Sequence, residues 1–405
     1  MSKKALEGIK VADFTWAVAG PFMTKYLADY GATVVRVESR DHPCFLRSSG
    51  PYKKDLPRDP NTTGYFAFFN ANKYSMSLNF DEPKGIEVAK RLIQWADVVT
   101  ESFVPGTLAK KGLDFESIRK MKPDIIMASS SGQGQTGPSA QIPIAGNWLV
   151  ALTGFAWLSG WPDLDPAQPF GAYTDFIAPR FGAAAIILAL RYRNLTGKGQ
   201  YIDLAQTEGG LQTLIPAVLD YTVNGRPGAR NGNSSPCAVP HGVYPCKHNR
   251  WCALSVSNDE EWRCLCHCMG NPSWTSESEF DSILKRKQNE NELNKLVSMW
   301  TSKFTAEEVM TLLQSVGVPA GVVESAKDVS EDPQLEFRNE FWTLDHKVIG
   351  KYKHLGQAAI LSSTPAQPYM PAPLLGEHTE YVCKEFLNMS DKQFVELFND
   401  GIFGR

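Results

Sequence analysis

No apolar run in this sequence is long enough to cross a bilayer. The most apolar stretch, residues 181–190, is roughly half the length a span needs, and Arg180 and Arg191 bound it. It reads as a buried helix. The start of the chain, Met1-Ser2-Lys3-Lys4-Ala5-Leu6, is basic, but Gly8 and Lys10 interrupt before a signal-peptide core could form, so a cytoplasmic protein is expected. Neither sign of charge is in excess: the net charge is −3, without the basic field that nucleic acid binding needs. The eight cysteines include no C-x-x-C pair, and in a long chain of this kind they are expected as reduced thiols. Cys264-Leu265-Cys266-His267-Cys268 carries metal-binding residue types. On a helix, however, Cys264 and Cys268 share a face that Cys266 leaves. No second cluster has zinc spacing, so packing thiols and no metal are expected.

Two further absences bear on chemistry. A strand at residues 9–14, a helix with Pro21 in its first turn and a second strand ending at Glu38 look like the opening of a dinucleotide-binding fold. There an acidic residue holds a ribose hydroxyl. The turn between them, Phe14-Thr15-Trp16-Ala17-Val18-Ala19-Gly20-Pro21, lacks the G-x-G-x-x-G that lets backbone close on a pyrophosphate, and Trp16 would obstruct the approach. This argues against a nicotinamide or flavin enzyme. The second absence is histidine: the seven lie at 42, 241, 248, 267, 346, 354 and 378, and none falls between 43 and 240.

What is present is an ordinary globular composition, 43% hydrophobic and 21% charged, over a length that suits two or three domains. Phe22, Tyr26 and Tyr30 form a helical stripe that Gly31 can end. Residues 33–38 read as a strand, 83–96 as an amphipathic helix, 98–100 and 125–128 as strands, and 114–121 as a helix. This alternation predicts a doubly wound, largely parallel α/β sheet. A long helix is expected at 181–193, stopped by Thr196-Gly197-Lys198-Gly199, then a strand at 201–204 and an apolar helix at 207–221. The Gly-, Asn- and Pro-rich stretch 224–236 reads as a linker with a loop, followed by a smaller unit. Ser390 and Gln393 form a capping-box signature for a last helix.

Nine segments in order, spread over nearly the whole chain, carry a family resemblance. They are Val11-Ala12-Asp13-Phe14-Thr15 with Ala19-Gly20-Pro21; Gly31-Ala32-Thr33-Val34-Val35-Arg36-Val37-Glu38; Asn72-Lys73-Tyr74-Ser75-Met76-Ser77-Leu78-Asn79; Glu101-Ser102-Phe103-Val104-Pro105-Gly106; Ser131-Gly132-Gln133-Gly134-Gln135-Thr136-Gly137-Pro138; Tyr173-Thr174-Asp175-Phe176; Thr196-Gly197-Lys198-Gly199-Gln200; Pro240-His241-Gly242-Val243-Tyr244; and Pro373-Leu374-Leu375-Gly376-Glu377-His378-Thr379. Together they resemble the family III CoA-transferases, the formyl-CoA transferase and carnitine CoA-transferase-like enzymes. The resemblance implies a Rossmann-like large CoA-binding domain built from both chain ends, 1–222 and 326–405, with a smaller α+β domain, 223–325, inserted between them. It implies an interlocked dimer, with each active site between the large domain of one chain and the small domain of its partner.

The resemblance also implies an activity. Asp175 matches the family's nucleophilic aspartate, which moves coenzyme A between two acids through aspartyl anhydride and aspartyl-CoA thioester intermediates. On local sequence alone, an aspartate at that place also suits a helix N-cap. Coenzyme A and acyl-CoA are then substrates, with no prosthetic group. The pantetheine arm is expected along Ala17, Val18 and Ala19, and the adenine and ribose-phosphate end near Ser39, Arg40, Leu78, Ser102, Phe103 and Lys110. Ser39 and Ser102 stand where the family often has arginine and asparagine. The loop holding Gly132 and Gly134 permits close backbone approach and is a candidate lining for the site, or a plain strand-to-loop turn. Trp16, Gln135 and His241 are candidate contacts to the acid. Trp148, Trp157 and Trp161 offer aromatic walls for an aryl acid, or core packing.

At Ala145-Gly146-Asn147 the chain departs from the family, which often carries Tyr or His and an acidic residue there. A 2-methylacyl-CoA racemase on this fold needs a histidine base from that stretch, which is missing. The chain is similar to subunits of succinyl-CoA:benzylsuccinate CoA-transferases from anaerobic aromatic degradation. That likeness implies a succinyl-CoA donor, an aryl-substituted acceptor such as benzylsuccinate, and either a homodimer or a heteromer with a homologous subunit. In a heteromer this chain could also be the non-catalytic half, although it retains Asp175.

Overall fold

The structure is a computed structural model and describes residues 4–404, so the basic start at Met1, Ser2 and Lys3 lies outside the described residues, as does Arg405. The chain divides into two compact units: one formed by residues up to 156, 168–228 and 334 onward, the other by 157–167 and 229–333. These boundaries differ from the 222/223 and 325/326 suggested by sequence. One reason is that the helix before the first boundary continues to Asn224 and ends on Gly225 in the left-handed region. The segment 157–167 joins the inserted unit because Gly232 N donates to Gly160 O and Arg230 Nη1 to Trp157 O.

The first unit contains β1 (Lys10–Phe14), α1 (Ala19–Asp29), β2 (Thr33–Glu38), α2 (Gly64–Asn70), β3 (Lys73–Ser77), α3 (Pro83–Trp95), β4 (Val98–Glu101), α4 (Phe115–Met121), β5 (Ile126–Ser131) and α5 (Gly146–Leu152). After the short α6 (Phe155–Leu158) come α7 (Thr174–Thr196), β6 (Tyr201–Ala205), α8 (Gln206–Leu211) and α9 (Ile215–Asn224). The six strands form one parallel sheet in the order β3-β2-β1-β4-β5-β6. This is the mixed α/β, parallel-sheet architecture expected from the alternation of elements.

Both faces of a parallel sheet must be covered, so its strands are apolar on both sides. Val11, Val34, Val98, Ile126 and Ala128 pack with Met23 and Leu27 of α1 and Ala183 and Ile186 of α7. Ala12, Phe14, Val35, Val37, Val99 and Met127 pack with Val88 and Leu92 of α3 and Ile118 of α4. The C-terminal segment completes this second layer. Val382, Ile402 and Phe403 join it, His378 N donates to Ser75 O and Asn79 N to Ile402 O. The last helix, Asp391–Asn399, carries the expected capping box of Ser390 and Gln393.

Two helices differ from their sequence readings. α7 begins at Thr174, seven residues before 181, with Pro179 inside it. In its second turn Pro179 removes only the bond that would reach the Asp175 carbonyl. The apolar stretch 207–221 is two helices, α8 and α9, because Pro216 near the start of α9 cannot donate backward.

The inserted unit holds an antiparallel sheet of β7 (His241–Cys246), β8 (Arg250–Ser255) and β9 (Ala320–Val322). Helices α10 (Asp259–Cys268), α11 (Ile283–Gln288), α12 (Glu290–Thr301), α13 (Ala306–Ser315) and the short α14 (Ala326–Ser330) accompany it. Trp262, Leu265, Leu293, Val297 and Val309 fill its core. Cys266 belongs to that core, where burial pushes its thiol up to about 11, while Cys264 and Cys268 are half-buried. All eight cysteines are free thiols. Among the described residues, no helix is long and apolar enough to cross a membrane.

Candidate active site

The turn after β1 is organised by a buried carboxylate. Asp13 is fully buried; it accepts from Thr15 N at 2.9 Å and Thr24 Oγ1 at 2.5 Å, with Lys73 Nζ at 3.4 Å. Ser102, just past β4, closes the turn from the other side: its Oγ accepts from Trp16 N at 2.8 Å and donates to Trp16 O at 3.1 Å. Between these anchors Ala17 takes φ 58°, in the left-handed region, which side chains other than glycine rarely enter. Glu38, which a dinucleotide reading would aim at a ribose, is instead buried against Arg47. Its two oxygens accept from Arg47 Nε at 2.6 Å and Nη2 at 2.7 Å.

The turn forms one wall of a cavity of about 620 Å³ in the first unit. The cavity lies beyond the carboxyl ends of β1, β4 and β5, where the strand order reverses and open α/β sheets take their ligands. Its lining includes Trp16, Ala17, Val18 and Ala19; Ser102 and Phe103; Ser130, Ser131 and Gly132; Ile142, Ile144, Gly146, Asn147 and Leu149; Phe45, Tyr65 and Gln206; and Asp175. No Lys, Arg or His is in that lining.

Asp175 is the second residue of α7, inside the helix, and the helix is preceded by Tyr173 without a side-chain cap. The capping reading is therefore overturned: the carboxylate bonds no end of its helix and is left for the cavity. Burial alone raises it from the ordinary carboxylate range to about 7. Tyr65 is raised first by its own burial and then by the charge of Asp175.

Eight of the residues singled out from sequence meet at this cavity: Trp16, Ala17, Val18, Ala19, Ser102, Phe103, Gly132 and Asp175. Ser39 and Leu78 line a smaller pocket of about 170 Å³ that shares Trp16 and Phe103 with it. Arg40 and Lys110 line neither; both are exposed, and Arg40 lies beside Gly404. Gly134 turns toward Asp203 at φ +86°. Gln135 N donates to the Asp203 carboxylate, and Gln135 lines a separate pocket with Glu101 and Tyr201. His241 belongs to the inserted unit, where it shares a hydrogen bond with Ser255. Trp148, Trp157 and Trp161 are more than half exposed, so they neither wall this cavity nor pack a core. Sequence reasoning missed Tyr65, Ser130 and Gln206; the run Ser129-Ser130-Ser131 ending an otherwise apolar strand was the available signal.

A doubly wound sheet with a large, cation-free cavity at its switch point, holding one desolvated carboxylate, defines an α/β enzyme whose site faces a small organic ligand. The model of the CoA-transferase family III matches residues 6–379. The chain is 30% identical to mouse succinyl-CoA:glutarate CoA-transferase over 99% of its own length and 91% of that protein. It is 33% identical to the Chloroflexus aurantiacus succinyl-CoA–L-malate CoA-transferase beta subunit, over 97% and 96%. It is also similar to the crystal structure of a CAIB/BAIF family protein from Brucella suis, with a TM-score of 0.88 and 29% identity, covering 95% of this chain and 100% of that one. The chain belongs to CoA-transferase family III and is a CoA-transferase, acting on CoA thioesters.

Proposed function

We propose that the enzyme moves coenzyme A from succinyl-CoA to a second carboxylic acid, with Asp175 as the covalent nucleophile. The observation that carries this reading is the Asp175 carboxylate itself. It is the sole acidic side chain lining the cavity, and burial removes the water that would blunt it as a nucleophile. Asp175 attacks the donor thioester carbon and expels CoA thiolate, giving an anhydride. The thiolate attacks the aspartyl carbonyl and releases the donor acid, leaving an aspartyl-CoA thioester. The acceptor carboxylate attacks that thioester and expels the thiolate again. The thiolate then takes the acceptor acyl group from the second anhydride, and Asp175 returns as carboxylate.

The pantetheine arm runs along Ala17, Val18 and Ala19, and the adenine end lies at the smaller pocket of Ser39 and Leu78. Relatives named for succinyl-CoA support the donor. Those named for glutarate and malate favour small dicarboxylic acceptors over an aryl one, while Trp16, Phe45, Tyr65 and Phe103 leave benzylsuccinate as a member of the panel to be tried. The absence of histidine from the lining disfavours the racemase chemistry.

Ile187, Leu188 and Leu195 of α7 and Leu219, Tyr221 and Val223 of α9 are exposed, an apolar surface of the kind a subunit interface covers. It supports an interlocked pair, either two copies or this chain with a homologous subunit. Free thiols throughout suit the cytoplasm.

The test is a screen of succinyl-CoA against carboxylic acids, followed by mass spectrometry of the acyl-CoA products. New acyl-CoA from wild type and none from Asp175→Ala supports the reading. Equal product from both places the chemistry elsewhere, in a partner subunit or another residue. Solvent deuterium entering Cα of a 2-methylacyl-CoA would establish the racemase instead.

A further inference from the structure

Three polar side chains lining the cavity carry a buried atom with no partner: Ser130, Ser131 and Gln206. Ser130 is 1% exposed and Gln206 9% exposed, and neither the Ser130 hydroxyl nor the Gln206 Oε1 makes a hydrogen bond. Both residues line the cavity that holds Asp175. Their placement on the sheet puts them on the Asp175 side. Side chains alternate along a strand, and Ile126 and Ala128 of β5 pack with α1 and α7, so Ser130 continues that series toward α7. Gln206 opens α8, which lies against α7 closely enough that a Cβ on Gly209 would be 3.1 Å from Ala178 Cβ. Ser131 belongs to the opposite series, with Met127.

A buried polar atom left unpaired costs its full desolvation, so the two on the α7 side of the cavity, Ser130 and Gln206, call for a ligand that pairs both. A carboxamide presents either its oxygen or its nitrogen at a given position by a half-turn. The hydroxyl and the amide can therefore both donate to one acceptor group. This cavity's lining offers no Lys, Arg or His, so the donors it supplies to a second carboxylate are neutral ones such as these.

We propose that Ser130 and Gln206 form a neutral, two-donor subsite for the distal carboxylate of a dicarboxylic acid whose other carboxyl group reacts at Asp175. The inference rests on the CoA-transferase reading of the cavity and deepens it by naming the residues that hold the acceptor's second carboxylate. A site built to hydrogen-bond a polar group rejects the analogue that lacks it far more strongly than an apolar site rejects a misfit. Discrimination between a dicarboxylic acid and its methyl-ended isostere is therefore the property to read.

Glutarate and pentanoate are mixed as competing acceptors with one donor, so that the donor half-reaction cancels in the product ratio. Wild type is expected to favour glutaryl-CoA. Ser130→Ala and Gln206→Leu are each expected to shift the ratio toward pentanoyl-CoA by about tenfold or more, and Ser130→Thr to restore it. A wild type without the preference, or variants that shift it less than threefold, overturns the subsite; hydrogen bonds to the reacting carbonyl, common to both acids, would give that second result. If wild type makes neither product, the transferase reading fails first. The subsite is then judged by calorimetric dissociation constants of the two acids, with the same expected shift in their ratio and the same overturning result.

Discussion

The Asp175 carboxylate lies against the α-carbon of Gly146, the first residue of α5. A Cβ added there would stand 2.5 Å from Oδ2 and 2.8 Å from the carboxyl carbon, and closer still to Ala172 Cβ. The family departure at Ala145-Gly146-Asn147 thus has a steric counterpart: glycine leaves the space in which the Asp175 carboxylate sits.

Gly146→Ala should therefore act on turnover rather than on folding. Alanine is a better helix residue than glycine, but its methyl group must displace the carboxylate or the chain at Ala172. A displacement of about 1 Å from reacting geometry costs on the order of a hundredfold. The expected outcome is a kcat lower by about that factor, with a thermal midpoint within a few degrees of wild type, measured by steady-state kinetics and calorimetry.

Charge at Asp175 opposes folding. Its folded value of about 7 lies above the ordinary 3.8, so the folded chain holds this proton more tightly than the unfolded one. The stability it contributes is complete below about pH 4 and is lost as the pH rises toward 7. Asp175→Asn removes the cost of the buried charge. It is expected to be more stable than wild type at pH 8, by at most about 4 kcal/mol, and near wild type at pH 4. Denaturant titration at the two pH values checks this.

As the proposed nucleophile, the same group is expected to set the acid limb of the reaction. In the proposed mechanism the attacking species is the carboxylate, so kcat/KM should fall about tenfold per pH unit below about 7. An acid limb near 4 would mean that the carboxyl group is not desolvated in the free enzyme.

Glu38 has a structural role that its position in the sequence disguises. Its burial would raise it, yet the Arg47 guanidinium, with Arg36 behind it, holds it below the ordinary range. The stability of this pair is present at neutral pH and is lost as the pH falls below the carboxylate range. Glu38→Ala leaves two buried guanidinium groups without their partner and should cost about 3–5 kcal/mol, read from chemical denaturation at pH 7.

The legible part of the fold was the part governed by period. β1, β2, α3, β4 and β6 lie within a residue or two of their sequence readings, because apolar runs bounded by Gly and Pro mark buried parallel strands and their helices. β3 was not legible as a strand. Lys73 and Ser75 are polar yet buried, held by Asp13 and Glu38, partners more than thirty residues away that no local pattern reveals. The start of α7 was hidden by Pro179. At the site, Asp175 and the Trp16–Ala19 turn could be named from motif order. Tyr65, Ser130 and Gln206 could not, since a lone tyrosine, serine or glutamine becomes a lining residue only when the sheet edge brings it there.

The covalent intermediate tests the account most directly. The enzyme is incubated with succinyl-CoA, treated with hydroxylamine, digested and analysed by peptide mass. A hydroxamate on Asp175, absent when succinyl-CoA is omitted, is the expected result. An active preparation whose Asp175 peptide stays unmodified, or whose hydroxamate falls on another residue, would contradict it.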